Sequence, residues 1–195
     1  MRRILPLLAL ALATPLLSGC FFGLAATGIG ATALLVDDRR TAGIYIEDEN
    51  IEWKALAKIT GDFKGSHVNS TSFNRKVLLT GEAPTEETRK AVEEAVKSIP
   101  SVREVTNEIV VAGNSSITSR GNDSIITSNV KARMVGNGKF SPNHVKVVTE
   151  AGAVFLMGIV TQGEGDTAVE IARSTSGVSR VVKAFEYVPE TPKRN

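Results

Sequence analysis

The stretch HVNSTSFNRKVLLTG, residues 67–81, aligns without a gap on HVKVVTEAGAVFLMG, residues 144–158. Both stretches begin with His-Val and end in Gly, and they lie 77 residues apart. The similarity continues upstream, where residues 49–59 align on residues 124–134. Because self-similarity at a fixed period indicates an internal repeat, the sequence predicts two copies of one small module.

Each copy has the same order of predicted elements. The first copy starts with apolar residues at helical spacing, followed by extended segments at 67–73 and 76–82 that the turn-like FNRK joins. Thr85 then caps a second helix, and residues 102–111 form a last strand. The second copy repeats this order, with Asp123 as the predicted cap of its first helix. The sequence thus predicts an α+β fold of two tandem units, each helix–strand–strand–helix–strand, with a three-stranded mixed sheet and two helices on one face.

The predicted boundaries follow from composition. The polar, Gly/Ser-rich stretch AGNSSITSRGN separates the two copies and is typical of a linker. The predicted segments are a signal peptide at 1–19, a lipidated N-terminus and tether at 20–45, the first module at 46–112, a linker at 113–121, the second module at 122–188 and a polar tail at 189–195.

The strand VFLMGIV, residues 154–160, is apolar on both of its alternating faces. A sheet with helices on one side leaves its other face open, so this pattern requires a second cover. A module of ~65 residues also buries little surface by itself. Two covers fit the sequence: the other module, which is the simpler explanation, or a partner protein.

The N-terminus has the layout of a secretory signal, with a charged start, an apolar core at 4–17 and small residues before Cys20. The motif LSGC, residues 17–20, resembles the bacterial lipobox. That resemblance implies cleavage between Gly19 and Cys20 and acylation of Cys20, the only cysteine in the sequence. Two or three acyl chains hold a protein stably on a membrane, whereas one binds marginally.

The residue after the cysteine bears on the choice of membrane. Phe21 stands where an aspartate would be the usual signal for retention at the inner membrane, so the resemblance favours the periplasmic leaflet of the outer membrane. Two alternatives stay open at this point. One is an ordinary signal peptide with a chance cysteine. The other is an uncleaved transmembrane helix that continues to Val36, although several glycines interrupt that stretch.

Composition and motifs argue against catalysis and against nucleic acid. From Cys20 onward the chain has 21 Lys and Arg against 21 Asp and Glu, so no basic excess points to nucleic acid. A single cysteine rules out an intrachain disulfide and a CxxC motif. His67 and His144 fall at the same place in the two copies and have no partners at metal-ligand spacing. The sequence predicts a binding protein that has no cofactor and no metal site.

The doubled unit, with RKVLLTGEAP (75–84) in the first copy and GAVFLMGIVTQ (152–162) in the second, resembles the BON domain. The resemblance implies a non-enzymatic outer-membrane lipoprotein that preserves envelope integrity. It also implies binding of anionic phospholipid through the second module, gathering at division sites, and support for the outer-membrane protein assembly machinery. One position departs from the family, which often has tryptophan two residues after Asp123. Here Ile125 stands there, so we expect weaker insertion into the membrane.

Charge is unevenly distributed between the two copies. Residues 46–112 carry nine basic and twelve acidic groups, whereas residues 120–150 carry five basic and two acidic groups. The basic excess gives a physical reason for the first helix of the second module to contact anionic headgroups. A solvated helix with stray apolar residues is the alternative. The predicted phospholipid-binding residues are Ile125, Ser128, Asn129, Lys131, Ala132, Arg133 and Val135.

Trp53 lies off the main apolar stripe of the first predicted helix. The helical spacing favours a place at the edge of the core, with contact to a partner protein as the alternative. A second function remains open in the same way. The chain could be a lipid-anchored adaptor whose modules bind an envelope protein or a cell-wall partner and do not themselves bind lipid.

Overall fold

The structure is a computed structural model that describes residues 38–113 and 117–190, without the side chains of 117–119. The predicted signal peptide, the cleavage site between Gly19 and Cys20, and the tether up to residue 37 lie outside the described residues. From Arg39 onward the chain forms one compact unit. Within the described residues, no helix combines the length and apolarity needed to cross a bilayer.

The first module has a central strand flanked on both sides. In its sheet, the second strand pairs antiparallel with the first and parallel with the last two. The predicted last strand is split in two, because the Asn107 side chain accepts a hydrogen bond from the Ile109 amide and interrupts the pairing. The elements are α1 (Ala42–Asp62), β1 (His67–Phe73), β2 (Lys76–Ala83), α2 (Glu86–Lys97), β3 (Glu104–Asn107) and β4 (Val110–Val111).

The second module repeats this arrangement with three strands. Its middle strand pairs antiparallel with the strand before it and parallel with the strand after it. Two mixed sheets, each with two helices, confirm the predicted α+β fold of tandem modules. The elements are α3 (Ile117–Asn137), a 3-10 turn (Pro142–His144), β5 (Val145–Glu150), β6 (Ala153–Val160), α4 (Gln162–Arg173) and β7 (Arg180–Tyr187).

The prediction that Asp123 caps α3 is wrong, because α3 begins at Ile117, inside the predicted linker, and Asp123 lies within the helix. Its buried carboxylate instead accepts hydrogen bonds from the amides of Ala151 and Gly152, at 2.9 and 2.8 Å, in the turn between β5 and β6. Asp48 of α1 binds the equivalent turn through the amides of Asn74 and Arg75, at 2.9 and 2.7 Å. The repeated aspartate therefore ties the first helix of each module to its hairpin.

The repeated spacing from His-Val to Gly has a backbone cause. A Cβ added at Gly81 would lie 2.0 Å from the carbonyl oxygen of His67, and one at Gly158 would lie 2.4 Å from that of His144. Gly81 also has a φ of +109°, which only glycine adopts readily. Two adjacent strands approach this closely only where no side chain intervenes, so glycine recurs at the same place in both copies.

Each module has its own apolar core between helices and sheet. In the first, α1 and α2 bury Ile51, Ala55, Val92 and Val96 against the sheet. The second core is formed by equivalent residues, and Leu156 of β6 is fully buried. Burying one such side chain stabilises the fold by roughly 1.5–3 kcal/mol. The predicted inward stripe of α3 is confirmed, since Ile126, Val130 and Met134 are all buried.

The sheet faces away from the helices cover each other. Phe73 and Leu78 of the first module form a buried cluster with Ala153, Phe155 and Met157 of the second. Mutual packing, the simpler of the two covers proposed from the sequence, is thus confirmed. Polar contacts surround the cluster, among them Lys146–Glu52 at 2.7 Å, Asn74–Glu186 at 2.8 Å and Arg180–Glu108 at 3.2 Å.

The end of the predicted tether is part of the folded unit. Thr41 caps α1, which therefore begins four residues before the predicted start of the module. Just before it, Arg39 binds Glu164 of the second module through two hydrogen bonds of 2.6 and 3.0 Å. Arg40 binds Asp48 of the first module at 2.9 Å and lies 4.0 Å over the Phe73 ring. Two consecutive arginines thus contact one module each.

Candidate lipid-contact surface

The α3 helix has a buried face and an exposed face. Ile126, Val130 and Met134 recur at spacings of four residues and pack on the sheet, so the residues opposite them point outward. Ile125 is 61% exposed and Val135 is 66% exposed. Two large apolar side chains thus lie outside the core on one helix, about three turns apart. Exposed apolar side chains on a helix beside basic residues are typical of an interfacial contact.

The structure brings most of the predicted residues together on this outer face. Ser128 hydrogen-bonds within the helix, donating to the carbonyl of Ser124 at 2.9 Å. Lys131 has no hydrogen bond or ion pair to any part of the chain that the structure describes. All seven predicted residues are exposed: Ile125, Ser128, Asn129, Lys131, Ala132, Arg133 and Val135.

Arg133 differs from the other six. Its guanidinium donates to the Ile171 carbonyl, the Thr175 hydroxyl and the Ser174 hydroxyl, at 2.9, 2.6 and 3.0 Å, at the C-terminal end of α4. A cation is stabilised there by the helix dipole. Its charge is therefore already shared with carbonyl and hydroxyl oxygens, and Lys131 is the cation that the outer face presents to solvent.

The charge balance of this helix comes from burial as well as from composition. Asp123 is the only acidic residue of α3, and it is buried against the hairpin turn. The outer face therefore carries no exposed carboxylate. The sequence-based count also included Lys146, but that amine binds Glu52 and the Ser72 carbonyl at the module interface. The basic character of the surface is thus smaller than the count of five suggested, and it is not opposed by acid.

The structure corrects the predicted position of Trp53. It is 68% exposed, so its predicted place at the edge of the core is wrong, and contact with a partner stays a prediction. Ile46 lies two turns before it and is 61% exposed, and Leu56 is also exposed. Exposed Glu49 lies beside them. The outer face of α1 therefore places apolar side chains beside an exposed acid as well as exposed Lys54, where that of α3 places them beside base without exposed acid.

Two glutamates have opposite environments. Burial raises the pKa of Glu164, but the hydrogen bonds from Arg39 and from the Thr161 amide outweigh burial and hold that pKa below its usual value. At the module interface, burial raises the pKa of Glu150, and the carboxylates of Glu82 and Asp123 add to the increase against a hydrogen bond from Asn69. Glu164 is thus a stabilised anion and Glu150 a destabilised one.

Sequence reasoning missed a groove on the second module between α4 and β7, where Arg173, Arg180 and Lys183 lie together. The signal was present, because α4 ends in Arg173 and β7 carries Arg180 and Lys183, but the residues belong to different elements. Within residues 38–113 and 117–190, no cluster of three or more His, Cys, Asp or Glu side chains is placed to hold a metal ion.

Comparison with known proteins agrees with this architecture. The BON domain family matches residues 47–113 and 122–189. The chain is 37% identical over 180 residues to the outer membrane lipoprotein DolP of Haemophilus influenzae, covering 90% of this chain and 92% of that protein. It is 32% identical over 154 residues to a protein of Actinobacillus pleuropneumoniae named 21 kDa hemolysin, covering 77% and 79%. The osmotically-inducible protein Y of Escherichia coli K12 is 26% identical over 144 residues, covering 71% and 72%. The chain therefore belongs to the BON-domain family, as a protein with two BON domains of the outer-membrane lipoprotein type.

Proposed function

We propose that this protein is anchored by acyl chains on Cys20 to the inner leaflet of the outer membrane, faces the periplasm, and binds anionic phospholipid through the outer face of α3. It acts by binding and performs no catalysis. The family resemblance extends the proposal to envelope integrity, with a place at division sites and beside the outer-membrane protein assembly machinery.

The observation that carries the proposal is the composition of that outer face. Ile125 and Val135 are exposed apolar side chains, Lys131 is a cation without a partner in the described chain, and no exposed carboxylate opposes it. Burying an apolar side chain at an interface contributes roughly 1.5–3 kcal/mol, and each basic group near an anionic surface contributes about 1 kcal/mol. These contributions are small alone, but the acyl anchor already holds the protein at the surface.

The test is an NMR titration of residues 39–195 with anionic micelles and, separately, zwitterionic micelles. We expect the amides of residues 123–136 to shift with anionic micelles only, and Ile125→Glu to abolish the shifts. Shifts of equal size with both micelles would contradict selectivity for anionic lipid, and no shifts with either would show that the membrane contact belongs to the anchor alone.

A second candidate is favoured by Trp53, the only tryptophan in the sequence, which lies exposed beside Ile46 and Leu56 on an acid-flanked helix. Tryptophan is enriched in the residues that contribute most to protein–protein binding. In this function the first module contacts an envelope protein. The full chain with Trp53→Glu would then still bind anionic vesicles but fail to restore the outer-membrane barrier in cells that lack the protein. Complete restoration would rule this candidate out.

A further inference from the structure

The groove between α4 and β7 has a volume of about 390 Å³ and lies at the edge strand of the second sheet, and none of its lining residues belongs to α3. One wall is formed by residues four apart on the helix, and the other by residues two apart on the strand, so each pair points the same way. The first pair is Val169 and Arg173, and the second is Val181 and Lys183. The lining is completed by Val178, Ser179 and Arg180.

The groove is basic with an apolar floor. Arg173 and Lys183 make no hydrogen bond or ion pair with any residue of 38–113 or 117–190. Arg180 forms an ion pair with Glu108 of the first module, at 3.2 Å, and its guanidinium lies over the Phe155 ring. No acidic residue lines the groove. Within residues 38–113 and 117–190, Arg173 and Lys183 therefore have no carboxylate to balance their charge, whereas Arg180 is paired with Glu108.

In the first module, a carboxylate balances the positive charge at the equivalent position. In the repeat alignment, Glu93, Lys97 and Asn107 occupy the places of Val169, Arg173 and Lys183. The Glu93 carboxylate accepts hydrogen bonds from Lys97 and Asn107, at 2.6 and 2.9 Å. The first module thus supplies its own counter-ion. In the second module, valine replaces that carboxylate and lysine replaces the asparagine.

We propose that the groove binds an acidic phospholipid, with its phosphate between Arg173 and Lys183 and the adjoining hydrocarbon on Val169, Val178 and Val181. Arginine and lysine are the usual partners of phosphate oxygens, and three valines give the adjoining carbons an apolar surface. The ligand supplies the negative charge that Glu93 supplies in the first module. This site is separate from the outer face of α3 and is occupied by a single lipid molecule rather than by a membrane surface.

The test titrates the full chain, in a nonionic detergent, with dihexanoyl phosphatidic acid, and follows the NMR signals of the valine methyl groups. We expect shifts at Val169, Val178 and Val181, and we expect the double variant Arg173→Gln, Lys183→Asn to weaken binding by at least about tenfold. Both substituted residues are exposed, so the variant keeps its fold. Val169→Glu, which introduces the carboxylate of the first module, is expected to abolish the shifts at Val178 and Val181.

The matched control is the double variant Lys90→Gln, Lys97→Gln, which removes two cations from α2 of the first module and is expected to leave the affinity unchanged. Inorganic phosphate and dihexanoyl phosphatidylcholine are the comparison ligands, and we expect both to bind at least about tenfold more weakly. Equal binding of inorganic phosphate, equal binding of the phosphatidylcholine, or an equal loss in the control variant would each overturn the proposal. Because the lipid is short and no residue of α3 lines the groove, these results are separate from those on the vesicle contact of α3.

Discussion

The two modules share their interior and differ on their surfaces. Asp48 and Asp123 each bind the hairpin turn of their own module, and Gly81 and Gly158 each permit a close approach of two strands. The outer faces of the first helices differ, since that of α1 places Trp53 beside acid and that of α3 places apolar residues beside base. The residues that are repeated in both copies therefore stabilise the shared fold. The residues that differ between the copies report on what each module binds.

The largest expected effect concerns the repeated aspartates. Asp48→Ala removes a buried carboxylate that binds Arg40, the Ser72 hydroxyl and two amides, so we expect a loss of about 3–5 kcal/mol in the free energy of unfolding. Asp123→Ala removes hydrogen bonds to two amides and is expected to cost about 2 kcal/mol. Urea denaturation of the two variants measures the difference. Equal costs would mean that Arg40 and the Ser72 hydroxyl add nothing to the stability of the first module.

The next effect concerns the repeated glycines. Gly158→Ala places a Cβ against the carbonyl of His144, so we expect a loss of about 1–3 kcal/mol. Gly81→Ala is expected to cost more, because that residue also has a positive φ. Gly136→Ala is the control, since its Cβ would meet no neighbour and alanine favours a helix by about 0.5–1 kcal/mol. Thermal unfolding of the three variants gives their order, and a neutral Gly158→Ala would contradict the close approach.

The smallest expected effect is a pH-dependent change in stability, which has opposite signs for Glu164 and Glu150. The pKa of Glu164 is lowered, so its stabilising contribution is present above the ordinary value of 4.5 and is lost as pH falls through the folded-state value. We therefore expect Glu164→Gln to lower the melting temperature at pH 7 and to have little effect in acid.

Glu150 has the opposite sign. The pKa of Glu150 is raised, so its contribution to the stability of the folded protein is fully present below 4.5 and is lost as pH rises through the folded-state value. We expect Glu150→Gln to raise the melting temperature at pH 7, with the gain disappearing in acid. Glu170→Gln, at an exposed position of α4, is the control at each pH. A gain from Glu150→Gln that is equal at all pH values would contradict burial of the charge.

Much of the fold could be predicted from the sequence, because the determinants are local. Alternation and turn residues predicted β1 and β2, and the Thr85 cap that predicted α2 is present. The role of Asp123 could not be predicted, since a side chain before a helical run reads as a cap unless its tertiary partner is known. The same limit applies to Trp53, because helical spacing does not show which flank another element covers.

The features of the candidate site that are local in sequence could likewise be predicted, and those formed by residues distant in sequence could not. The outer face of α3 is a single helix, so its periodicity predicted Ile125 and Val135 on the exposed side. The binding of Arg133 to the end of α4, and of Lys146 to Glu52, joins residues distant in sequence. For that reason charge counting overestimated the free cations. The groove of Arg173 and Lys183 was missed for the same reason, because a helix and a strand form it together.

The central claim is that the second module contacts anionic lipid and the first does not, and Ile46 and Ile125 test it directly because both are 61% exposed on the first helices of their modules. The measurement is flotation of residues 39–195 with vesicles of phosphatidylglycerol or of phosphatidylcholine. We predict that Ile125→Glu weakens binding to the anionic vesicles by about tenfold or more, while Ile46→Glu leaves it unchanged. An equal loss in both variants, or binding that Ile125→Glu does not alter, would contradict the claim.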